Sequence, residues 1–122
     1  MKLKRYGFFK ELEHGDAHGE SLKLLRGSVS YDEKQLKRIV QYLESGHVFI
    51  ASPGVFFDIF KEEQSDPLGN AHLLTDGEWC WPADLPYYVQ NYGVPIPKEM
   101  LENMKKNNWS IPENIDISNL IL

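Results

Sequence analysis

The apolar and polar positions between residues 73 and 97 predict a β-hairpin followed by a helix. Two β-prone runs, residues 73–75 and 78–81, flank the pair Asp76 and Gly77. Asp-Gly between two such runs is the strongest short-range hairpin signal, because a type I′ turn needs positive φ at both central residues. Pro82 then ends the second strand, since proline cannot donate to a strand ladder.

The helix after this hairpin is predicted from the spacing of its apolar side chains. They recur at i, i+3, i+4 and i+7, which places them on one helix face: Leu85, Tyr88, Val89 and Tyr92. Gly93 is placed to end the helix in a left-handed conformation. Pro86 fits the first turn, where the missing N–H leaves no hydrogen bond unmade.

Two further helices follow from periodicity and capping signals. Ser30 and Glu33 form a capping box, so we expect a helix from Ser30 to Ser45, with Gly46 as its stop. Its buried stripe is Leu36, Ile39, Val40 and Leu43. Pro97 is predicted to start the last helix, and its inner face is Met100, Leu101 and Met104.

A second hairpin is predicted at residues 47–60. The runs 47–51 and 55–60 are rich in β-branched and aromatic residues, and Ser-Pro-Gly at 52–54 is a turn signal. Along the second run, Asp58 would share a face with Phe56 and Phe60. Residues 61–71 read as a polar loop that carries several acids.

Other segments have weaker patterns. Residues 1–10 are expected to form an irregular or extended arm on the core, and residues 11–21 a loop. The leucines of 22–25 fit either a short strand or one helical turn. The apolar tail after Pro112 could dock as an edge strand or mark an interface.

The predicted order is helix, two hairpins, helix, helix. Hairpins with short turns imply an antiparallel sheet, whereas alternating strands and helices would imply a parallel one. We therefore expect an α+β fold in one domain, residues 1–122, with an antiparallel sheet of about four strands and three helices packed on one face.

Charge and composition exclude several classes of protein. The formal net charge of −5 opposes non-specific nucleic-acid binding, which depends on clustered Lys and Arg. No apolar run approaches the roughly 18 residues of a membrane span, nor the length of a signal-peptide core. The single cysteine, Cys80, excludes an internal disulfide. These features predict a cytoplasmic protein without membrane or nucleic-acid partners.

The sequence offers few candidates for chemistry. His14 and His18 have the i, i+4 spacing of helical metal ligands, but Gly15 and Gly19 oppose a helix, so no metal site is expected. Cys80 could act as a nucleophile with His47 or His72 as its base. A strand between two tryptophans does not lower a thiol pKa, and a buried structural thiol is favoured.

Asp76, Glu78 and Asp84 form an acidic group around the central hairpin. Paired carboxylates perform acid–base catalysis when their surroundings separate their pKa values. Simpler roles suffice for a turn residue, a solvent-facing acid and a helix N-terminal acid. Phosphate loops, dinucleotide fingerprints, serine triads and zinc spacings do not occur in the sequence, so no cofactor and no catalytic residue is predicted.

The central segment resembles a widespread group of small bacterial proteins. They share a pattern of the form T-D-G-x-W-x-W, a short acidic step, then L-x-Y-Y-V and a valine-proline connector. The matching residues are Thr75, Asp76, Gly77, Trp79, Trp81, Asp84, Leu85, Tyr87, Tyr88 and Val89. The resemblance brings no catalytic residues. In size, charge and compartment such proteins are similar to immunity proteins of polymorphic toxins.

The function predicted from these observations is a non-enzymatic protein-binding module, an immunity protein that occludes a basic surface of its toxin. The expected contact residues are Glu62, Glu63, Asp66, Glu78 and Tyr87, with Tyr87 pointing outward. Two alternatives stay open. A small hydrolase or metal-assisted enzyme would need two histidines to converge with a carboxylate, and a structural homodimer would use the apolar tail. The oligomeric state does not follow from the sequence.

Overall fold

The computed structural model describes residues 2–61 and 66–122. Within these residues it has four α-helices, six β-strands and one 3-10 helix, which confirms the α+β class. In chain order they are β1 Lys4–Arg5, α1 Leu22–Leu25, α2 Glu33–Glu44, β2 His47–Ile50, β3 Val55–Phe56, β4 Gly69–Asn70, β5 Leu73–Thr75, β6 Trp79–Pro82, α3 Leu85–Tyr92, α4 Lys98–Lys106 and the 3-10 helix Ile117–Asn119.

The main sheet has four strands in the order β1-β6-β5-β2. β5 and β6 form the predicted antiparallel hairpin, in which Leu74 lies opposite Trp81. β1 belongs to the N-terminal arm and pairs parallel to β6, so the sheet is mixed and not wholly antiparallel. The arm is also tied to the connector before α4, because the Tyr6 hydroxyl donates to the Pro95 carbonyl at 2.5 Å.

The prediction of a second hairpin at residues 47–60 is wrong. β2 pairs antiparallel with β5, and β3 pairs with β4 in a separate two-stranded sheet. The turn between them is local: Gly54 N–H donates to the Ser52 hydroxyl, while Ser52 N–H donates to His72 Nδ1 at 3.0 Å. β2 and β3 therefore pair with different strands. The β-propensity of the residues along the chain does not show this.

The hairpin turn itself differs from the predicted type I′ turn. The loop has three residues, and only Gly77 among them has a positive φ, of 98°. The Asp76 carboxylate takes over the role of a turn hydrogen bond. Its Oδ1 accepts from the N–H groups of Glu78 at 2.9 Å and Trp79 at 2.8 Å. Asp76 therefore closes the turn with its side chain.

The long helix α2 begins two residues later than its sequence predicts. Asp32, not Ser30, is the N-cap, and its carboxylate accepts from the Gln35 N–H at 2.8 Å. Both residue types are good caps, and the choice between two so close together depends on where the chain enters the helix. The segment left open at 22–25 is helical, with Ser21 as its N-cap.

The core lies mainly on the helix-bearing face of the sheet. Leu74, Trp79 and Trp81 of the hairpin share one buried cluster with residues of α2, α3 and α4. The Trp81 indole also donates to the Leu43 carbonyl of α2 at 3.0 Å. Cys80 faces the other side, in a smaller cluster with Leu3 and Phe8 of the arm. This arrangement agrees with three helices packed on one face.

Asp76 joins this layer of helices to the hairpin. Its Oδ1 accepts the two backbone N–H groups of the turn, while Oδ2 accepts the Tyr42 hydroxyl of α2 at 2.6 Å. Oδ2 also accepts the Asn103 side-chain amide of α4 at 2.8 Å. The carboxylate is buried away from water. Four hydrogen-bond donors from three elements stabilise its charge in place of water.

We predict that Asp76→Ala lowers the free energy of unfolding by about 3–4 kcal/mol, because it leaves buried donors unsatisfied in the turn and in two helices. Urea unfolding followed by tryptophan fluorescence measures the loss. Asp66→Ala is the matched control, since Asp66 is exposed and the change should stay within about 0.5 kcal/mol. Equal losses in the two variants would contradict this role for Asp76.

Candidate functional site

Of the contact residues predicted from sequence, the structure describes Asp66, Glu78 and Tyr87. Glu62 and Glu63 lie outside the described residues, and Asp66 is exposed. Glu78 is half-exposed, with its carboxylate 3.4 Å from the Lys106 ammonium. The Tyr87 hydroxyl does not point outward as predicted but donates to the Asp58 carboxylate at 2.5 Å. Their contact with a partner stays a prediction.

Asp58 is a buried carboxylate whose partners the sequence did not identify. It accepts the hydroxyls of Tyr87 and Tyr92, both at 2.5 Å, and the Phe60 N–H at 2.8 Å. Burial alone would raise the pKa of Asp58, but these hydrogen bonds outweigh burial and hold the pKa below its usual range. The hydrogen bond to Asp58 in turn raises the pKa of Tyr92 to about 12.

Tyr88 completes what we call the tyrosine clamp, the set of Tyr87, Tyr88 and Tyr92 on α3. Its hydroxyl accepts the Ile59 N–H and donates to the Phe57 carbonyl, both at 3.1 Å. The clamp therefore fixes residues 57–60 against α3. The sequence placed Asp58 on the face of Phe56 and Phe60, and that position was the available signal for its burial.

The clamped segment lies beside a set of exposed apolar side chains, which we call the apolar rim. These side chains are 42–47% exposed and all fall between residues 48 and 57: Val48, Ile50, Val55 and Phe57. Ile50 lies opposite Leu73, and Val55 lies opposite Asn70. Residues 70 and 73 are three positions apart in the chain, so β2 and β3 pair with successive segments of it.

The rim adjoins an open edge of the main sheet. β1 forms one edge, and there Leu3 N–H donates to the Ile121 carbonyl of the C-terminal tail at 2.7 Å. β2 forms the other edge, and no strand among residues 2–61 and 66–122 pairs with its outer side. A shift of register between Val48 and Ile50 interrupts its ladder with β5. An edge strand presents backbone groups that another chain can pair with.

Asp84 is a third buried carboxylate and lies next to His14. Its side chain is 1% exposed, and Oδ2 is 3.4 Å from His14 Nε2 without hydrogen-bond alignment. The His14 ring packs on Phe56, with ring centroids 4.3 Å apart. Burial raises the pKa of Asp84, and the neighbouring imidazole offsets only part of the rise. The pair connects the loop at 11–21 to the start of α3.

The acids around His14 have separate structural partners. Glu11 caps α1 by accepting the N–H groups of Leu22 and Lys23 at 2.8 and 2.9 Å. Burial would raise the pKa of Glu11, but these bonds outweigh it and lower the pKa to about 2. The Asp16 carboxylate instead accepts hydrogen bonds from both terminal guanidinium nitrogens of Arg5, at 3.0 and 3.1 Å.

Within residues 2–61 and 66–122, only His14 of the four histidines lies within 4 Å of a carboxylate, that of Asp84. His18 is exposed, His47 Nε2 lies 3.1 Å from the Pro112 carbonyl, and His72 accepts the Ser52 N–H. In the described parts of the chain, no group of three or more His, Cys, Asp or Glu side chains is placed to hold a metal. The arrangement that the enzyme hypothesis required, two histidines beside one carboxylate, does not occur among these described residues.

Cys80 and the acidic group around the hairpin are parts of the scaffold. Cys80 is fully buried, and burial raises its thiol pKa to about 11, which agrees with the predicted structural thiol. Asp76, Glu78 and Asp84 each have a different partner: the turn and two helices, Lys106, and His14. They do not face one another as an acid–base pair.

Compared with protein-family models, curated proteins and solved structures, the chain has no match in any of the three. Among the described residues, no helix has the length and apolar content needed to cross a membrane. The apolar rim is therefore the first candidate site on the surface of the fold.

The tyrosine clamp generates a prediction about pH. Because the pKa of Asp58 is lowered in the folded state, the unfolded chain binds the proton first as pH falls below about 4. The stability that this carboxylate contributes is fully present above its unfolded pKa. It is lost as pH falls through the lower folded pKa.

We expect Asp58→Asn to cost about 1–3 kcal/mol at pH 7. The difference from the unmodified protein should shrink as pH falls from 5 to 3 in urea-unfolding measurements. Asp66→Asn is the matched control at an exposed position, and it should cost no more than about 0.5 kcal/mol at pH 7. If the Asp58→Asn curve runs parallel to that of the unmodified protein across this range, the carboxylate does not hold the clamp in its ionised form.

Proposed function

We propose that the protein is a non-enzymatic protein-binding module with the apolar rim at the centre of its contact surface. The observation that carries the proposal is the rim itself. Four large apolar side chains are exposed between residues 48 and 57, beside an open strand edge, and the tyrosine clamp holds the backbone at Phe57. Exposed apolar side chains grouped in this way are typical of protein interaction sites.

The open edge of β2 suggests how a partner would bind. An extended segment can add a strand to a sheet edge, with backbone hydrogen bonds supplying affinity and side-chain pockets supplying specificity. The shifted register at Val48 and Ile50 limits pairing to a short segment. Phe57 would then contribute an aromatic anchor, the residue class that is enriched in interface centres.

We propose further that the partner is a bacterial toxin and that binding neutralises it. The connection between β3 and β4 carries Glu62, Glu63 and Asp66, so acids lie in sequence between the two strands that flank the rim. With a net charge of −5, the protein would attract a basic surface and cover it. Occlusion of a basic substrate-binding face would block the toxin without any chemistry by this chain.

The resemblance of the 75–89 segment to small bacterial proteins is compatible with this proposal and stays a prediction. The same holds for a cytoplasmic location, where an immunity protein would meet its toxin. Glu78 and Tyr87 are less central than the sequence suggested, because Lys106 and Asp58 already occupy their polar atoms.

We predict that charge placed in the rim abolishes partner binding. Val55→Asp with Phe57→Asp should reduce capture of a stoichiometric partner by at least about tenfold in pull-downs with the tagged protein. Leu24→Asp is the matched control, since Leu24 is 81% exposed on α1 and not part of the rim. The captured partner is then identified, and its toxicity is measured in cells with and without this protein.

Three outcomes separate the parts of this proposal. Loss of capture by the rim variant alone, with a toxic partner neutralised by the unmodified protein, supports both parts. Loss of capture with a harmless partner supports the rim and rejects immunity. Equal capture by the rim variant and the Leu24→Asp control rejects the rim as the contact surface.

A homodimer through the C-terminal tail is the second candidate, because Ile117, Ile121 and Leu122 are 40–61% exposed. We predict a monomer of 14.1 kDa in size-exclusion chromatography with light scattering. Leu120 packs on the sheet, and the remaining side chains give much less than the roughly 800 Å² per partner of a stable interface. The dimer would be established by a measured mass twice as large, which falls back to 14.1 kDa in the Ile121→Asp variant.

A further inference from the structure

A groove between α2 and α4, which we call the basic furrow, lies on a different part of the molecule from the apolar rim. It has a volume of about 540 Å³. One wall is the first half of α2 and the other is α4, and Trp109 lies beyond the end of α4. Its basic and apolar lining residues are Lys34, Arg38, Lys98, Leu101, Lys105 and Trp109.

The charge of the furrow is opposite in sign to the net charge of the protein. It contains four cations, and within residues 2–61 and 66–122 none of these has a carboxylate within 4 Å. Two acids also line it. Asp32 accepts the Gln35 N–H as the cap of α2, and Glu102 is the other. A net positive groove on a chain of net charge −5 is an electrostatic feature that helix solvation alone does not require.

Trp109 is fixed by an unusual backbone conformation. The N–H groups of Asn108 and Trp109 donate to the carbonyls of Lys105 and Met104, at 3.0 and 2.9 Å, which is the Schellman pattern at a helix end. Asn108 and Trp109 both have positive φ, of 55° and 59°. Asparagine tolerates this region, but for a bulky residue it is an outlier of the kind that clusters at binding sites.

The Trp109 indole lines the furrow. Trp109 is half-buried, packs on the edge of the core, and has the Arg38 guanidinium 5.8 Å from its ring centroid. Leu101 is partly buried on the same groove wall. An apolar platform is thus surrounded by four cations, which is the complement of an acidic segment that carries an apolar side chain.

We propose that the basic furrow binds an acidic peptide segment of a partner protein. Carboxylates of the segment would pair with Lys34, Arg38, Lys98 and Lys105, and an apolar or aromatic side chain would pack on Trp109 and Leu101. A nucleic acid strand fits less well, because its phosphates would continue beyond the furrow onto a chain of net charge −5. The proposal is independent of the rim, since the two surfaces are built from different elements.

Fluorescence anisotropy tests the proposal with a labelled twelve-residue peptide of Asp and Glu around one Leu and one Phe. The comparison peptide replaces every acid by its amide. We expect the acidic peptide to bind, and its affinity to fall when salt is raised from 0.05 to 0.5 M, because screening weakens exposed ion pairs. The amide peptide should bind at least about tenfold more weakly.

Variants of the intact protein locate the binding. Lys34→Glu combined with Lys105→Glu should weaken the acidic peptide at least about tenfold. Lys37→Glu is the matched control, since Lys37 lies on the same helix but lines a separate groove, and it should leave the affinity within about twofold. Trp109→Phe should weaken binding while circular dichroism stays unchanged, which separates the platform from the fold.

Four results would overturn the proposal. They are absence of peptide binding at low salt, equal binding of the amide peptide, equal losses in the furrow and Lys37→Glu variants, and tighter binding of a dT oligonucleotide than of the acidic peptide. The last result would assign the furrow to nucleic acid. The mass of the protein is also measured with the peptide present. A monomeric mass would exclude self-association through the acidic 61–66 segment of a second copy.

Discussion

A carboxylate that is buried away from water needs hydrogen-bond donors to stabilise its charge, and Asp76 has four in this fold. Two come from the hairpin turn, and the others are Tyr42 of α2 and Asn103 of α4. The turn, the sheet and two helices are therefore held in one geometry by a single buried group. Removal of the carboxylate would leave each element with an unpaired donor, and this makes their positions interdependent.

The surface next to β2 and β3 is built by the same means. Asp58 is buried under Tyr87 and Tyr92, and Tyr88 holds the backbone on either side of it. These polar contacts are satisfied internally, so the clamp contributes rigidity and leaves Phe57 facing solvent. An apolar side chain presented by an ordered backbone loses little conformational freedom on binding, which favours affinity.

The two candidate surfaces have opposite chemistry. The rim combines apolar side chains with an open strand edge, and the basic furrow combines four cations with Trp109. Net charge alone describes neither, because a chain of −5 still concentrates positive charge between two helices. If both proposals hold, one partner would contact both surfaces or two partners would bind at once.

Local patterns determined the elements whose contacts are local. The Asp-Gly hairpin, the stripe of α3 with its Gly93 cap and the face of α4 all follow from signals within a few residues. Tertiary structure alone decided the partners of β2 and β3, the parallel pairing of β1 and the burial of Asp84. Periodicity states which face of a strand is buried, but not which distant segment covers it, because that choice depends on packing across the whole chain.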